Sequence, residues 1–268
     1  MKKLIKSILP PFFLSFKKKL FSNGISFRGN YQSWSDAENS AIGYDTDSIF
    51  KTTERSVEQV LSGKAFYERD SVAFYEENYN WRLISFILLV ALKNKKLNVV
   101  DFGGSLGSTY LQNKKFIKTC TQLTWNVIEQ KQFVESGKRL FEFDEKINFF
   151  ENLSELDGQG IDILLMSCVL PYIKEPYKTL REALACKPCY VIIDRHPILF
   201  EGETDILTVQ NVPSKIYEAS YPAWFFNRDK FLSQFDDSFK LVNESNSDDR
   251  VNYPCEYKSF FFRRVEND

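Results

Sequence analysis

Residues 97–108, LNVVDFGGSLGS, join a short apolar run to a glycine-rich turn, and a helical pattern follows them. The run at 97–102 is typical of a buried strand. Glycines at 103, 104 and 107 allow a sharp turn and a close approach of the backbone to a ligand. Free N–H groups at the start of the next helix can bind a polar group. The segment therefore predicts a strand, a ligand-binding turn and a helix.

Strand and helix patterns alternate after this turn. Strands are predicted at 124–129, 147–150, 161–167 and 190–194, and helices at 131–141 and 176–185. Alternation in units of roughly 30 residues indicates a parallel, doubly wound α/β sheet. The flanking segments are predicted as a structured loop or short helices at 27–45, helices within 46–92, a long aromatic loop after 200, a helix at 228–235, and an antiparallel pair at 240–243 and 257–265.

Composition narrows the class of protein. The 268 residues are 43% apolar and 26% charged, which is typical of a globular protein, and the net charge of -1 excludes a global electrostatic case for nucleic-acid binding. Five cysteines, an odd number without dense spacing, indicate a reducing compartment, so a cytoplasmic location is expected. Cys186 and Cys189 form a CxxC pair, but a single histidine leaves no zinc ligand set; a turn is expected there, and no metal.

The amino-terminal residues are basic and apolar. Residues 1–20 carry six lysines and no acidic residue, around an apolar run at 8–16 that two prolines interrupt. Two interpretations stay open: an arm packed on the body, or a segment that contacts the anionic inner face of a membrane. The chain is therefore divided into an arm at 1–26, a helical and loop cap at 27–96, and an α/β domain at 97–268 with its aromatic loop at about 197–227.

The turn and the end of the second strand indicate the kind of ligand. A dinucleotide fingerprint, GxGxxG, is not met, because Phe102 occupies the first glycine position. Glu129, twenty-eight residues after Asp101, stands where an acidic residue can hold ribose hydroxyls. The D-x-G-x-x-x-G form of 101–107 resembles motif I of class I S-adenosylmethionine (SAM)-dependent methyltransferases. Plain helix–strand packing is the alternative use of these glycines.

Longer segments resemble a family of methyltransferases from bacterial surface-polysaccharide (capsule and O-antigen) loci. That resemblance implies a Rossmann-like sheet of the class I type, mostly parallel with an antiparallel edge strand and an N-terminal helical segment, and SAM as methyl donor. It does not identify the acceptor. Two positions depart from the family pattern: Pro171 stands where Gln is usual, and His196 stands where Thr is common. The segments are FRGNYQSWSDA (27–37), GYD (43–45), VDFGGSLGSTYLQ (100–112), WNVIEQ (125–130), VLPYI (169–173), IIDR (192–195) and VQNVPSKIYEASYPAWFF (209–226).

A cofactor site follows by position in this fold. The methionine end of SAM is expected at Asp101 and the turn, the ribose at Glu129 beside Gln130, adenine near Glu151 and Asn152, and the sulfonium above Ser167 and Cys168. Ligands of open α/β sheets bind beyond the carboxyl ends of the strands, where these residues fall. The predicted cofactor residues are Asp101, Gly103, Gly104, Ser105, Gly107, Glu129, Gln130, Glu151, Asn152, Ser167 and Cys168.

Methyl transfer to an alcohol also needs a base. His196, the single histidine, is the first candidate, and Asp194 is the second. Arg195 suits a phosphate or carboxylate on the acceptor through its planar fork. Either core packing or a substrate pocket explains five aromatic residues: Tyr31, Trp34, Tyr217, Tyr221 and Trp224.

These patterns predict a SAM-dependent methyltransferase. O-methylation of a glycan, a nucleotide sugar or a small phosphorylated precursor of a surface polysaccharide is expected. Two alternatives stay open: N-methylation of an amino sugar, and a non-catalytic nucleoside-binding scaffold in a polysaccharide assembly complex. No nucleic-acid partner is expected, and the oligomeric state is not predicted.

Overall fold

The computed structural model describes residues 24–41, 46–93, 96–118, 122–214, 216–235 and 237–265. The membrane contact predicted for residues 1–20 lies outside these ranges and stays a prediction. Within them, no helix combines the length and the apolar character that crossing a membrane requires.

The described ranges contain twelve strands, seven α-helices and two short 3-10 helices. The strands are β1 (Ser26–Tyr31), β2 (Tyr67–Arg69), β3 (Val72–Phe74), β4 (Lys96–Phe102), β5 (Gln122–Ile128), β6 (Ile147–Phe150), β7 (Ile163–Ser167), β8 (Tyr190–Leu199), β9 (Ile206–Val212), β10 (Ala219–Asn227), β11 (Phe239–Asn246) and β12 (Glu256–Arg264). The helices are α1 (Trp34–Ser40), α2 (Thr46–Leu61), α3 (Trp81–Lys93), α4 (Ser108–Ile117), α5 (Lys131–Leu140), α6 (Pro176–Ala185) and α7 (Arg228–Leu232).

Five parallel strands form the centre of one sheet in the order β6-β5-β4-β7-β8. The chain leaves β4 toward β5 and β6, and later returns to the other side of β4 for β7 and β8. A crevice therefore opens beyond the carboxyl ends of β4 and β7, where the strand order reverses. β12 pairs antiparallel with β8, and β11 with β12. The predicted doubly wound, mostly parallel sheet with an antiparallel edge is confirmed.

Both faces of the central strands are buried, which explains their continuous apolar sequences. Val99 of β4 faces a core that includes Ile87 of α3 and Trp125 of β5. Val100, one residue later, faces the opposite core together with Leu180 of α6. Helices therefore cover the sheet on both sides, and the crevice lies at one edge of it.

The segment predicted as an aromatic loop at 197–227 is mostly strand. β8 runs on to Leu199, and β9 and β10 pair antiparallel, with Tyr221 opposite Gln210. Phe225 and Phe226 are both buried although they point to opposite faces. Because both faces of β10 are covered, the period-two alternation that signals a half-buried strand is missing.

The segment predicted as a loop or short helices at 27–45 begins with a strand. β1 pairs antiparallel with β9, with Phe27 opposite Gln210, and α1 follows it. β1, β9 and β10 thus extend the sheet and form one wall of the crevice.

A β-hairpin interrupts the helical spacing predicted for 46–92. Tyr67 of β2 stacks on Phe74 of β3 with ring centroids 4.5 Å apart. Asp70 and Ser71 form the turn with φ of 53° and 66°, the positive values that a tight hairpin requires. Asp-Ser is a weak signal for such a turn beside Asn-Gly or Asp-Gly, so the sequence did not reveal it. The hairpin lines the crevice.

Candidate functional site

The crevice is a cleft of about 1800 Å³. A single small-molecule pocket usually measures about 300–1,000 Å³, so the cleft has room for two ligands. We call its two ends the glycine-turn half and the tyrosine half. The glycine-turn half is lined by Asp101, Gly103, Gly104, Ser105, Glu129, Gln130, Glu151 and Asn152. The tyrosine half is lined by Cys168, Tyr172, Arg195, Gln210, Tyr217, Tyr221, Asp249 and Tyr257.

The turn after β4 requires glycine at two places. Gly103 has a φ of 70°, and a Cβ atom there would collide with Val169. A Cβ atom on Gly104 would lie 2.6 Å from Asp101 Cγ. These constraints bring bare backbone to the floor of the cleft, as predicted. Gly107, the N-cap residue before α4, has a φ of 76° and does not line the cleft, unlike the other glycines of the predicted cofactor site.

Asp101 carries a carboxyl that is only 1% exposed. Its Oδ2 accepts a hydrogen bond from Trp125 Nε1 at 3.1 Å, whereas Oδ1 has no partner within the described ranges. Burial is the main cause that raises the pKa of this carboxyl to about 7. A buried acceptor without a donor is uncommon in native proteins, and it marks a place that a ligand's N–H can fill.

Glu129 lies at the end of β5 with both carboxylate oxygens oriented. Oε1 accepts the Ser105 N–H at 3.2 Å, and Oε2 accepts the Gln130 N–H at 2.8 Å. Burial raises its pKa above the ordinary value, and these two backbone hydrogen bonds oppose the rise. Each oxygen keeps acceptor capacity. Two fixed acceptors at this position can bind the neighbouring hydroxyls of a ribose.

Glu151 and Asn152 line the cleft, but part of their hydrogen-bonding capacity is used within the chain. The backbone N–H groups of both residues donate to Glu155 Oε1, at 2.8 and 2.9 Å. The Asn152 side chain caps the short 3-10 helix that follows. The backbone amides that the predicted adenine contact could use are therefore occupied, which leaves the side chains of this pair.

His196 does not line the cleft, so its prediction as the base is wrong. The side chain is fully buried and packs against the rings of Phe226 and Phe231, with centroids 6.2 and 6.1 Å away. Its Nδ1 lies 2.9 Å from the Asp194 carbonyl oxygen. Burial lowers the pKa of the imidazole to about 3. The histidine is a neutral core residue at neutral pH.

A β-bulge at Arg195 explains this error. Ile193 pairs with Phe260 and His196 with Lys258, so two residues of β8 stand opposite Ser259 alone. Arg195 has a φ of 56°. A bulge breaks the alternation of side chains along a strand. Asp194 and Arg195 consequently both line the cleft, and His196 enters the core.

The Asp194 side chain accepts hydrogen bonds from three residues. Ser259 Oγ donates to Oδ1 at 2.6 Å, Ser167 Oγ donates to Oδ2 at 3.2 Å, and Asn80 Nδ2 lies 3.2 Å from each oxygen. These donors come from β12, β7 and the segment before α3. A carboxylate that is 2% exposed and engaged by three donors joins these elements, which does not favour its predicted role as the second candidate base.

The guanidinium group of Arg195 is already paired with two carboxylates. Its Nε and Nη2 each lie 3.1 Å from an Asp249 oxygen, and Nη2 lies 2.9 Å from Asp70 Oδ2. The side chain is 12% exposed. Two carboxylates already compensate its charge, so the phosphate or carboxylate site predicted from the sequence is not supported.

The tyrosine half contains a connected set of hydroxyls. Tyr172 donates to Gln210 Oε1 at 2.8 Å, and Gln210 Nε2 donates to the Tyr221 hydroxyl at 3.0 Å. Tyr217 lies 3.4 Å from the same hydroxyl. Burial raises the pKa of the neighbouring Cys168 thiol to about 12, so this thiol stays protonated. Tyr217 and Tyr221 line the cleft, and their predicted role in binding a substrate stays a prediction.

Of the other three aromatic residues predicted for the substrate pocket, one lines the cleft and two do not. Trp34 lines the cleft. Trp224 packs against Trp34 with ring centroids 6.3 Å apart, outside the lining. Tyr31 is also outside it, and its hydroxyl lies 2.6 Å from Ser40 Oγ. Tyr31 and Trp224 are therefore packing residues, and the aromatic composition alone could not separate them from lining residues.

Sequence reasoning missed Glu68. This glutamate of β2 is 2% exposed and lines the cleft. Its Oε1 accepts the Ser71 N–H at 2.6 Å, and its Oε2 accepts a short hydrogen bond from Ser108 Oγ. Burial is the main cause that raises its pKa to about 7. The available signal was weak: an acidic residue in a short run between two aromatic residues.

Comparison with solved structures identifies the fold. The cyclase SpnF has a TM-score of 0.51 at 10% identity, over 89% of this chain and 98% of its own. An O-methyltransferase family protein from Burkholderia thailandensis has a TM-score of 0.51 at 11% identity, over 96% and 69%. Magnesium protoporphyrin IX methyltransferase from Synechocystis PCC 6803, with bound S-adenosylhomocysteine (SAH), has a TM-score of 0.46 at 12% identity, over 99% and 100%.

The likenesses to SpnF and to the Burkholderia protein, at these low identities, show the fold alone, which is the Rossmann-like fold of class I methyltransferases. No protein-family model and no curated protein matches the sequence.

Proposed function

We propose that the protein is a SAM-dependent methyltransferase. The observation that carries this proposal is the floor of the glycine-turn half. There a buried Asp101 oxygen without a partner lies beneath Gly104, and Glu129 presents two oriented oxygens one strand away. An amino acid joined to a ribose would supply the missing N–H donor and the two hydroxyls. SAM has both groups.

The residues of the glycine-turn half would hold this donor at its two ends. Asp101 would accept a hydrogen bond from the ammonium group, and Glu129 would accept those of the ribose hydroxyls. SAM supplies an electrophilic methyl group when bound. The chain's part is to align the acceptor with that group and to remove the acceptor's proton, since the displacement is in line.

We propose a carbohydrate hydroxyl, in a precursor of a surface polysaccharide, as the acceptor. The linked hydroxyls and amide of Tyr172, Gln210 and Tyr221 provide both donors and acceptors for sugar hydroxyls, and their rings provide apolar surface. The two carboxylates on Arg195 do not support the phosphorylated precursor or the phosphate of a nucleotide sugar.

A second candidate is N-methylation of an amino sugar. Glu68, Asp70 and Asp249 surround one arginine at the tyrosine half. The lining there also includes Asp248, Arg69 and Arg250, so four carboxyl groups face three arginines, and this small excess of acid favours a positively charged amine over an anion. Analysis of the methylated product by mass spectrometry distinguishes an N-methyl from an O-methyl group.

The proposal has a test in two stages. Calorimetry should show binding of SAH and none of NADH, and surface glycans of the host should lose a methyl group when the gene is deleted. Binding of NADH without SAH would contradict the donor assignment. SAH binding with unchanged glycans and no methylated product would favour the non-catalytic scaffold, or a reaction without methyl transfer, as the fold of the cyclase SpnF allows.

A further inference from the structure

We propose that Glu68 is the catalytic base, which takes the proton from the acceptor during methyl transfer. This inference rests on the proposed function. It assigns a role to a side chain on the β2–β3 hairpin, far in sequence from the glycine turn.

Glu68 is hydrogen-bonded to the helix that follows the glycine turn. Its Oε2 accepts a hydrogen bond from Ser108 Oγ, and Ser108 is the first residue of α4, the helix that follows the turn. Its Oε1 is oriented by the Ser71 N–H. The carboxyl is therefore held in one orientation at the edge of the space proposed for the donor.

The same hairpin reaches the tyrosine half. Asp70, two residues after Glu68, forms an ion pair with Arg195. Burial, followed by the charges of Asp70 and Glu68, raises the pKa of the Tyr217 hydroxyl in the tyrosine half. Glu68 is thus hydrogen-bonded to the helix after the glycine turn and lies two residues from the ion pair with Arg195 in the tyrosine half, so we place it between the two halves of the cleft.

Four other titratable groups that line the cleft are less suitable. The Asp194 oxygens accept from three donors. Burial keeps the Cys168 thiol and the Tyr172 hydroxyl protonated by raising their pKa values. Asp101 lies beneath Gly104 against Trp125, below the turn. Glu68 remains as a buried carboxyl at the junction of the halves.

The charges around Glu68 adjust it to proton transfer near neutral pH. Burial and Asp70 raise its pKa, whereas the hydrogen bonds from Ser108 and Ser71 and the charge of Arg195 lower it, with the result at about 7. Arg195 is shared with Asp249 from the segment after β11, and Tyr217 faces the group from the segment before β10. A base with a pKa near the working pH is the most effective one.

The proposed step balances. The acceptor's O–H bond breaks and its proton moves to a Glu68 oxygen, while the acceptor oxygen forms a bond to the methyl carbon. The bond from that carbon to sulfur breaks, and its electron pair stays on sulfur. The sulfonium becomes the neutral thioether of SAH, and the carboxylate becomes a neutral acid.

A structural alternative is that Glu68 only fastens the hairpin to α4. The two roles differ in one measurable quantity, because SAM carries a positive sulfonium where SAH is neutral. A carboxylate that faces the methyl group should sense this charge, since an opposite charge within about 4–6 Å lowers a carboxyl pKa by about 1–3 units. If Glu68 only fastens the hairpin and lies outside that range, its pKa should be the same with SAM and with SAH.

The experiment is an NMR titration of the full chain with labelled glutamate carboxyls, in saturating SAM and in saturating SAH. Glu68→Gln assigns the Glu68 signal and retains an acceptor for Ser71 and a group that can pair with Ser108. We expect the Glu68 pKa in SAM to lie at least about one unit below that in SAH. Glu54 is the matched control, because it also accepts from a serine, Ser136, but lies outside the cleft; its signal should be the same with both ligands.

Equal Glu68 titrations in SAM and SAH, with both ligands bound, would overturn the assignment and leave the proposed function intact. Failure of the wild type to bind either ligand would instead remove the proposed function, and the assignment with it. A methylating Glu68→Gln variant with wild-type rate and pH profile would likewise overturn the role of this carboxyl as base.

Discussion

The Asp101 carboxyl lies directly beneath Gly104, so that a Cβ atom at position 104 would be 2.6 Å from Asp101 Cγ. Nonbonded carbon atoms prefer separations of about 3.5–4.0 Å. Any side chain at 104 must therefore displace the carboxyl or the turn. The position of the unpartnered Asp101 oxygen depends on this close approach.

Gly104→Ala should weaken SAH binding by at least about tenfold, or 1.4 kcal/mol, because the added methyl group displaces the Asp101 carboxyl. Isothermal calorimetry measures the change. Gly160→Ala is the matched control, since a Cβ atom there would meet nothing within 4 Å. Equal affinities of Gly104→Ala and the wild type would show that the ligand does not use this floor.

Glu129→Ala should weaken SAH binding by about 1.5–3 kcal/mol, the range of hydrogen bonds to a charged group. The variant also releases the N–H groups of Ser105 and Gln130, which Glu129 now accepts. Calorimetry at pH 8 gives the difference. Glu135→Ala, a glutamate on the exposed side of α5, should bind as the wild type does. A wild-type affinity in Glu129→Ala would remove the ribose contact.

Asp101 should make the protein less stable as pH rises. The unfolded carboxyl titrates near 3.8 and the folded one at about 7, so the folded state holds the extra proton between these values. The free energy of unfolding therefore falls across this window, by about 1.4 kcal/mol per unit of pKa difference. Asp101→Asn lacks this contribution. Urea unfolding at pH 4 and pH 8 should show the variant gaining roughly 4 kcal/mol on the wild type; a constant difference would contradict the raised pKa.

His196 has the opposite linkage. The unfolded imidazole binds a proton below about pH 6.5, whereas burial holds the folded one neutral down to about 3, so stability from this group is lost as pH falls between these values. His196→Leu should remove that loss, so the stability difference between wild type and variant should change by about 1.4 kcal/mol per pH unit there. SAH affinity should stay within twofold. If His196→Leu is stable and binds SAH but no longer transfers a methyl group, His196 takes part in the reaction after all.

Local sequence was enough to predict the centre of the sheet. The apolar run of β4, the three glycines after it and Glu129 at the end of β5 are close in sequence to the atoms they position. The bounds of β6 and α6 also match the prediction, because caps, prolines and short apolar runs act within one element. Short-range sterics decides these features.

The tyrosine half could not be predicted in the same way. The charge of Arg195 is compensated by Asp70 and Asp249, which are 125 and 54 residues away along the chain. Glu68 reaches Ser108 across 40 residues. No residue type or spacing in the sequence shows these pairs, because they form only in the folded chain, where the hairpin packs against α2 and α4.

The sequence by itself determined a strand, a glycine turn and an acidic residue on the next strand, and with them the sheet and the glycine-turn half of the cleft. Tertiary structure alone decided which side chains of β8 face that cleft. The bulge at Arg195 arises from pairing with β12, some 60 residues later, and it turns His196 into the core while Asp194 and Arg195 face the cleft. The physical reason is that side-chain direction in a strand depends on register with its neighbours, and register is a property of the assembled sheet.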